Sequence, residues 1–137
     1  MAIYHFSVKI IKRSEGRSAV AAAAYRSGTK LTNEYDGITH DYTKKNWIEH
    51  SEIFLPVQAQ KCFGERSTLW NSVESIEKSG NAQLAREFEV ALPIELSPEE
   101  RYHLVQEFIQ KNLVEHGMCV DLAIHNPPLT NGFHVPI

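Results

Sequence analysis

The sequence predicts an α+β fold in which a small, mainly antiparallel sheet carries helices packed on one face. Segments in which polar and apolar residues alternate predict strands, segments with apolar residues at helical spacing predict helices, and turn signals separate the two. The 137 residues, 42% of them hydrophobic and 23% charged, suffice for one domain with a buried core. No apolar run reaches 18 residues, so the sequence predicts no membrane span and no membrane partner.

The first predicted elements are a strand and a short helix. Residues 3–11 alternate with a period of two, which is typical of a half-buried strand with one polar face. A basic turn follows. Ser18 is then a candidate N-cap and Gly28 a stop signal, so a helix is expected over residues 19–26.

The remaining elements are predicted from the same kinds of pattern. Asp36-Gly37 signals a hairpin turn, and Ser97-Pro-Glu-Glu100 is a capping box that opens a helix. The predicted segments are a hairpin at 31–42, helices at 67–78 and 98–116, and strands at 84–92 and 118–125. The last two strands either pair with each other or flank another strand, and the tail after residue 125 is interpreted as a loop.

The helix that follows Ser18 presents one phenol beside one guanidinium, those of Tyr25 and Arg26, on a surface of alanines. A tyrosine next to an arginine on a closely approachable surface suits attack of a phenolate on a phosphodiester. The alternative is an Ala-rich helix packed close to a sheet, with a half-buried tyrosine. Tyr35 and Tyr42, in the predicted hairpin, are alternative nucleophiles, although such aromatic residues usually pack across strands.

Polar side chains share the strand faces that lie opposite the core residues. Glu87 and Glu89 lie on one strand, Asp121 and His125 on another, and His5 on the first. Carboxylates and imidazoles together are ligands that several divalent metals accept. Exposed strands also carry such residues without any function, so a solvated surface remains the alternative.

The charge is distributed unevenly along the chain. The net charge is −3, but residues 1–47 hold eight Lys/Arg against four Asp/Glu, and residues 48–137 hold six against thirteen. A positive first third could attract a phosphate backbone, or the split could be accidental. The candidate DNA-binding residues are Lys9, Lys12, Arg13, Arg17 and Arg26.

Five segments resemble the N-terminal domain of MobA/MobL relaxases, including TraA-type conjugative relaxases. The order and spacing of these segments match from residue 1 to about residue 130. They are residues 1–9, 18–28, 33–37, 83–93 and 117–125. The resemblance implies an HUH endonuclease, which nicks one DNA strand at a plasmid transfer origin. Its expected partners are single-stranded origin DNA and accessory relaxosome and coupling proteins.

The resemblance also implies roles for particular residues. Tyr25 would be the nucleophile that forms a 5′-phosphotyrosine link, and His125 the first of three histidines that bind a divalent metal, Mg²⁺ or Mn²⁺. The metal would polarise the scissile phosphate. Because a free phenol has a pKa of about 10, its deprotonation needs assistance from the field of the metal or from a nearby base, for which Glu87 and Glu89 are the candidates.

The sequence departs from the family pattern near its end. The family places a His-x-His pair on the strand that follows, whereas here a lone His134 stands after Asn126-Pro-Pro-Leu-Thr. Residues 1–137 are therefore interpreted as a single relaxase domain truncated before that strand, with His134 in a loop, an unpaired sheet edge and impaired nicking activity.

Two other functions stay open. One is a non-catalytic module that binds single-stranded or origin DNA, and the other is a degenerate remnant. Cys62 and Cys119 form no disulfide framework, and the N-terminus lacks a signal-peptide core, so a cytoplasmic location is expected.

Overall fold

A computed structural model describes residues 6–92, 95–125 and 131–136, the last range by its backbone alone. The strands are β1 Phe6–Lys12, β2 Lys30–Thr32, β3 Thr39–Asp41, β4 Ile48–Phe54, β5 Gln83–Val90, β6 Val120–His125 and β7 Asn131–Pro136. The α-helices are α1 Ala19–Ser27, α2 Arg66–Ile76 and α3 Pro98–Asn112.

Five of these strands form one antiparallel sheet in the order β1-β5-β7-β6-β4, and β2 and β3 form a separate hairpin. The α+β class and the mainly antiparallel sheet are thus confirmed. The sheet also shows which of the two strand arrangements left open by the sequence is present. The strands before and after α3, β5 and β6, do not pair with each other but flank β7.

The helices lie on both faces of the sheet, rather than on one as predicted. Leu122 of β6 belongs to a core cluster with Ile109 of α3. Its neighbour Asp121 points to the opposite face, where it accepts a hydrogen bond of 2.8 Å from the indole N–H of Trp70 in α2. Alternation along a strand shows that its two faces differ, but a buried carboxylate with a partner cannot be distinguished by sequence from a solvated one.

The ends of α1 follow the sequence signals. The Ser18 hydroxyl accepts a hydrogen bond from the amide of Ala21, and Gly28 ends the helix in the left-handed conformation at φ 67°. Ala23 and Ala24 are fully buried, since side chains this small let the helix lie close to its neighbours. Tyr25, between this buried stripe and Arg26, is left at the surface.

Two strands were not predicted. Residues 131–136 form β7, so the expectation that His134 lies in a loop was wrong. The backbone of His134 is in register with Glu87 on one side and Asp121 on the other. β4 was also missed, because its sequence Ile-Glu-His-Ser-Glu-Ile-Phe does not alternate strictly. The predicted loop of residues 126–130 and the candidate His5 lie outside the described residues.

Candidate nucleic-acid site

A cleft of about 450 Å³ runs beside α1 and is the setting for the tyrosine that the sequence singled out. It is lined by residues of the turn before α1, of α1 itself, of the hairpin and of β5, and these include Arg17, Tyr25, Arg26, His40 and Glu87. The side chain of Tyr25 is 49% exposed, so its phenol is accessible to a ligand.

The ring of Tyr25 is held on two sides. Tyr42 packs against it edge to face, with 5.2 Å between the ring centroids and an interplanar angle of 87°. The Lys45 ammonium lies 3.5 Å from the centroid of the Tyr25 ring and donates a hydrogen bond of 2.6 Å to the Tyr25 carbonyl. This carbonyl is in the last turn of α1, where the helix dipole favours a cation. The orientation of the ring is therefore restricted while half of its surface stays free.

Arg26, the next residue, points to the two glutamates of β5. Its guanidinium lies 2.8 Å from a Glu89 oxygen and 3.5 Å from a Glu87 oxygen. Arg17 approaches Glu87 to 3.5 Å, and Lys9 approaches Glu89 to 4.0 Å. Both predicted bases are thus paired with cations. Of the two, Glu87 lines the cleft together with Tyr25 and Glu89 does not.

His125 is joined to the same end of α1. Its Nε2 atom lies 3.0 Å from the carbonyl oxygen of Arg26. A carbonyl can only accept a hydrogen bond, so Nε2 carries the proton in this contact. The imidazole is buried, and the carbonyl that it contacts belongs to the residue that follows Tyr25. The structure therefore places Tyr25 and His125 in the same region of the molecule.

Within residues 6–92 and 95–125, no group of three His, Cys, Asp or Glu side chains lies close enough together to hold a metal ion. Glu87 and Glu89 are engaged by Arg26. Asp121 is engaged by Arg66, whose Nε lies 2.7 Å from the carboxylate. His125 has one ring nitrogen already donating, and the described residues around it do not assemble a divalent-metal site.

The five predicted DNA-binding residues differ in their position relative to the cleft. Arg17 and Arg26 line the cleft, and Lys9 is exposed on the edge strand β1. Lys12 is half-buried at the end of β1. Arg13 is not among the residues that line the cleft.

The guanidinium of Arg13 caps the C-terminus of α2. It donates hydrogen bonds to the carbonyl oxygens of Glu74, Glu77 and Ser79, and it lies 2.8 Å from the buried Glu74 carboxylate. Its position in a basic run suggested a phosphate contact, but its charge is already compensated by these acceptors. Arg13 is a structural residue.

Sequence reasoning missed three residues in the region of Tyr25. His40, on β3, lines the cleft, and its buried Nε2 has no hydrogen-bond partner among the described residues. Lys45 and Trp47 lie in the segment between β3 and β4. The Asp36-Gly37 turn signal gave the hairpin but not its proximity to α1, which depends on Tyr42 and Lys45 packing against Tyr25.

Comparisons with known proteins match almost the whole chain. The chain is 45% identical over 127 residues to the mobilization protein MobL of Acidithiobacillus ferridurans, covering 93% of this chain and 33% of MobL. It is 39% identical over 145 residues to the conjugal transfer protein TraA of Rhizobium radiobacter, covering 98% of this chain and 13% of TraA. The chain thus spans a third or less of the length of these relatives.

A solved structure from work on the "Molecular Basis of Vancomycin Resistance Transfer in Staphylococcus aureus" has the same fold. It superimposes with a TM-score of 0.89 at 35% sequence identity, over 98% of this chain and 69% of the other. None of the described helices is long and apolar enough to cross a lipid bilayer. The MobA/MobL family model matches residues 17–137, and this chain therefore belongs to the MobA/MobL family.

Proposed function

We propose that this chain is a DNA-nicking domain of plasmid mobilisation, with Tyr25 as the nucleophile and single-stranded DNA at a transfer origin as the substrate. The observation that carries the proposal is the half-exposed phenol of Tyr25, held by Tyr42 and Lys45 at the mouth of a cleft. The names of the relatives, a mobilization protein and a conjugal transfer protein, support the substrate class.

The reaction is a transfer of one phosphodiester bond. The Tyr25 oxygen attacks the phosphorus and the bond from phosphorus to the 3′ oxygen breaks. The segment on the 3′ side of the nick then stays on the tyrosine through its 5′ phosphate, and the segment on the 5′ side leaves with the 3′ oxygen. The phenolic proton passes to a base, and the leaving 3′ oxygen takes up a proton to become a hydroxyl. The phosphotyrosine ester conserves the bond energy, so a 3′ hydroxyl can later rejoin the strand.

Two groups in the cleft are candidates for the base. Glu87 lines the cleft, as Asp36 does, and its carboxylate lies 3.5 Å from the guanidinium groups of Arg17 and Arg26. His40 also lines the cleft and has a buried Nε2 without a hydrogen-bond partner in the described part of the chain. Glu89 instead holds Arg26 in place at 2.8 Å.

A divalent ion, Mg²⁺ or Mn²⁺, belongs to the proposal with His125 as its ligand, and it would offset the charge on the reacting phosphate. The residues that the structure describes do not complete such a site. Because they bring one imidazole to this place where the family has three, the nicking activity of this chain should be low.

The covalent intermediate gives a direct test. A randomised single-stranded pool in which sulfur replaces a bridging 3′ oxygen traps the adduct, since the thiol that leaves rejoins poorly. We expect a slow covalent adduct, visible on a denaturing gel, that the Tyr25→Phe variant lacks. The matched control is Tyr42→Phe, which removes a hydroxyl from the neighbouring ring and should still form the adduct. An adduct that persists in Tyr25→Phe would refute the assignment.

A second candidate is a non-catalytic module that binds single-stranded DNA, with accessory relaxosome or coupling proteins supplying the rest. The cations around the cleft favour it as well. Binding of the pool without any covalent adduct in the unaltered chain would support this second function over the first.

A further inference from the structure

We propose that Trp47 and Lys45 form a subsite that stacks a base of single-stranded DNA next to the phosphate attacked by Tyr25. The inference rests on the proposed function for the identity of that phosphate. It assigns a binding role to a segment, residues 43–47, that no strand or helix of the structure includes.

Exposure is the first step of the argument. Trp47 is 44% exposed, whereas Trp70, the other tryptophan of the chain, is fully buried in the core between the sheet and α2. The exposed part of the Trp47 ring is large and apolar, so covering it by a ligand would be favourable. A ligand with a flat apolar face would cover it.

The second step is the position of Lys45 between two rings. Its ammonium lies 3.5 Å from the centroid of the Tyr25 ring and 5.5 Å from the centroid of the Trp47 ring. The Lys45 ammonium therefore lies near both the ring of Tyr25 and the ring of Trp47. A strand whose phosphate meets Tyr25 has its adjoining nucleotide within reach of Trp47.

Charge complementarity is the third step. Lys44 and Lys45 are consecutive, and Lys30 and Lys44 lie close enough to the Asp41 carboxylate to stabilise its charge, so the three lysines outnumber this acid. A positive surface interleaved with exposed aromatic rings is the combination that binds single strands without dependence on base sequence. The occupant that fits is a polyanion with planar bases, which is single-stranded DNA.

The two tryptophans allow a direct measurement on the unaltered chain. A short thymidine oligonucleotide should quench the fluorescence of Trp47 in a saturable manner, since Trp70 is out of reach of DNA. Trp47→Ala should remove this quenching and weaken binding about 5-fold or more, given about 1–3 kcal/mol per stacked base. Trp47→Phe should retain most of the affinity, because a phenyl ring still stacks. The control Ile76→Ala removes another exposed apolar side chain, on α2, and should bind as the unaltered chain does.

The outcomes separate this inference from the proposed function. Tyr25→Phe should lose the covalent adduct and keep the quenching. If the chain shows quenching that depends on Trp47 but forms no adduct, the result would support the subsite and contradict the nicking proposal. Adduct formation without any quenching, or Trp47→Ala binding as tightly as the unaltered chain with an unchanged melting temperature, would overturn the subsite.

Discussion

His125 Nε2 lies 3.0 Å from the carbonyl oxygen of Arg26, which is 99 residues earlier in the chain, and this contact joins the end of β6 to the last turn of α1. The His125→Ala variant leaves that buried acceptor without its donor. We therefore expect a loss of about 1–3 kcal/mol in the free energy of unfolding, measured by urea titration. His103→Ala, on the exposed side of α3, is the matched control and should change stability little. Equal stability of the two variants would contradict the structural role of His125.

Metal binding is a separate prediction for the same histidine. Calorimetric titration with Mn²⁺ should show only weak binding, because the described residues bring one imidazole and no uncommitted carboxylate to this place. Tight binding of one Mn²⁺ per chain, abolished in His125→Ala, would contradict this and show that residues outside the described part complete a site.

The parts of the fold that the sequence predicts are those that local chemistry decides. Ser18 and Gly28 set the ends of α1, and Ser97 with Glu100 forms the predicted capping box of α3. Tyr25 could be singled out because it follows directly on a run of alanines and precedes an arginine.

The features that could not be predicted from the sequence depend on contacts between residues far apart in the chain. Arg13 is as basic as Arg17, and only the arrival of α2 turns it into a helix cap while Arg17 stays at the cleft. β7 has a Gly and a Pro among its six residues, which locally predict a loop. It becomes a strand because β5 and β6 leave a central place that it fills.

The pair of Arg13 and Glu74 should be important for folding. The Glu74 carboxylate is buried and also accepts hydrogen bonds from the Ser18 hydroxyl and the Ala19 amide at the start of α1. Removing one partner of such a pair leaves an uncompensated buried charge, so Arg13→Ala should lower the free energy of unfolding by about 3–5 kcal/mol. Urea unfolding followed by circular dichroism measures this. The exposed Lys78→Ala is the control, and a loss below about 1 kcal/mol for Arg13→Ala would rule out the capping role.

Unlike Arg13, Arg17 is expected to contribute to DNA binding and little to stability. Its side chain is partly exposed at the cleft, and its single ion pair with Glu87 is 3.5 Å long, so Arg17→Ala should leave stability nearly unchanged. If its guanidinium contacts a phosphate, the salt dependence of single-strand binding should fall by about 0.7 in the slope of log K against log salt. Fluorescence titration at several salt concentrations provides this slope. Lys111→Ala, on α3, is the control, and an equal slope in both variants would exclude Arg17 from the DNA surface.

Lys45 makes stability depend on pH with a defined sign. Burial, and after it the charge of Arg26, lowers the pKa of the Lys45 ammonium in the folded chain below its ordinary value of 10.5. Between the folded pKa and 10.5 the unfolded chain binds more protons, so this lysine makes the folded chain more stable as pH rises through that interval. Lys45→Met removes this contribution, and the stability of the unaltered chain relative to the variant should therefore increase with pH.

Urea unfolding at a series of alkaline pH values measures the Lys45 contribution, with Lys44→Met as the control that changes the exposed neighbouring lysine. Lys45→Met should also slow adduct formation at neutral pH, because it removes the ammonium 3.5 Å from the Tyr25 ring and the hydrogen bond to the Tyr25 carbonyl. Lys45→Arg keeps a cation and should recover part of the rate. If Lys45→Met forms the adduct as fast as the unaltered chain, the lysine does not position the nucleophile, and the tyrosine is oriented by Tyr42 and the helix alone.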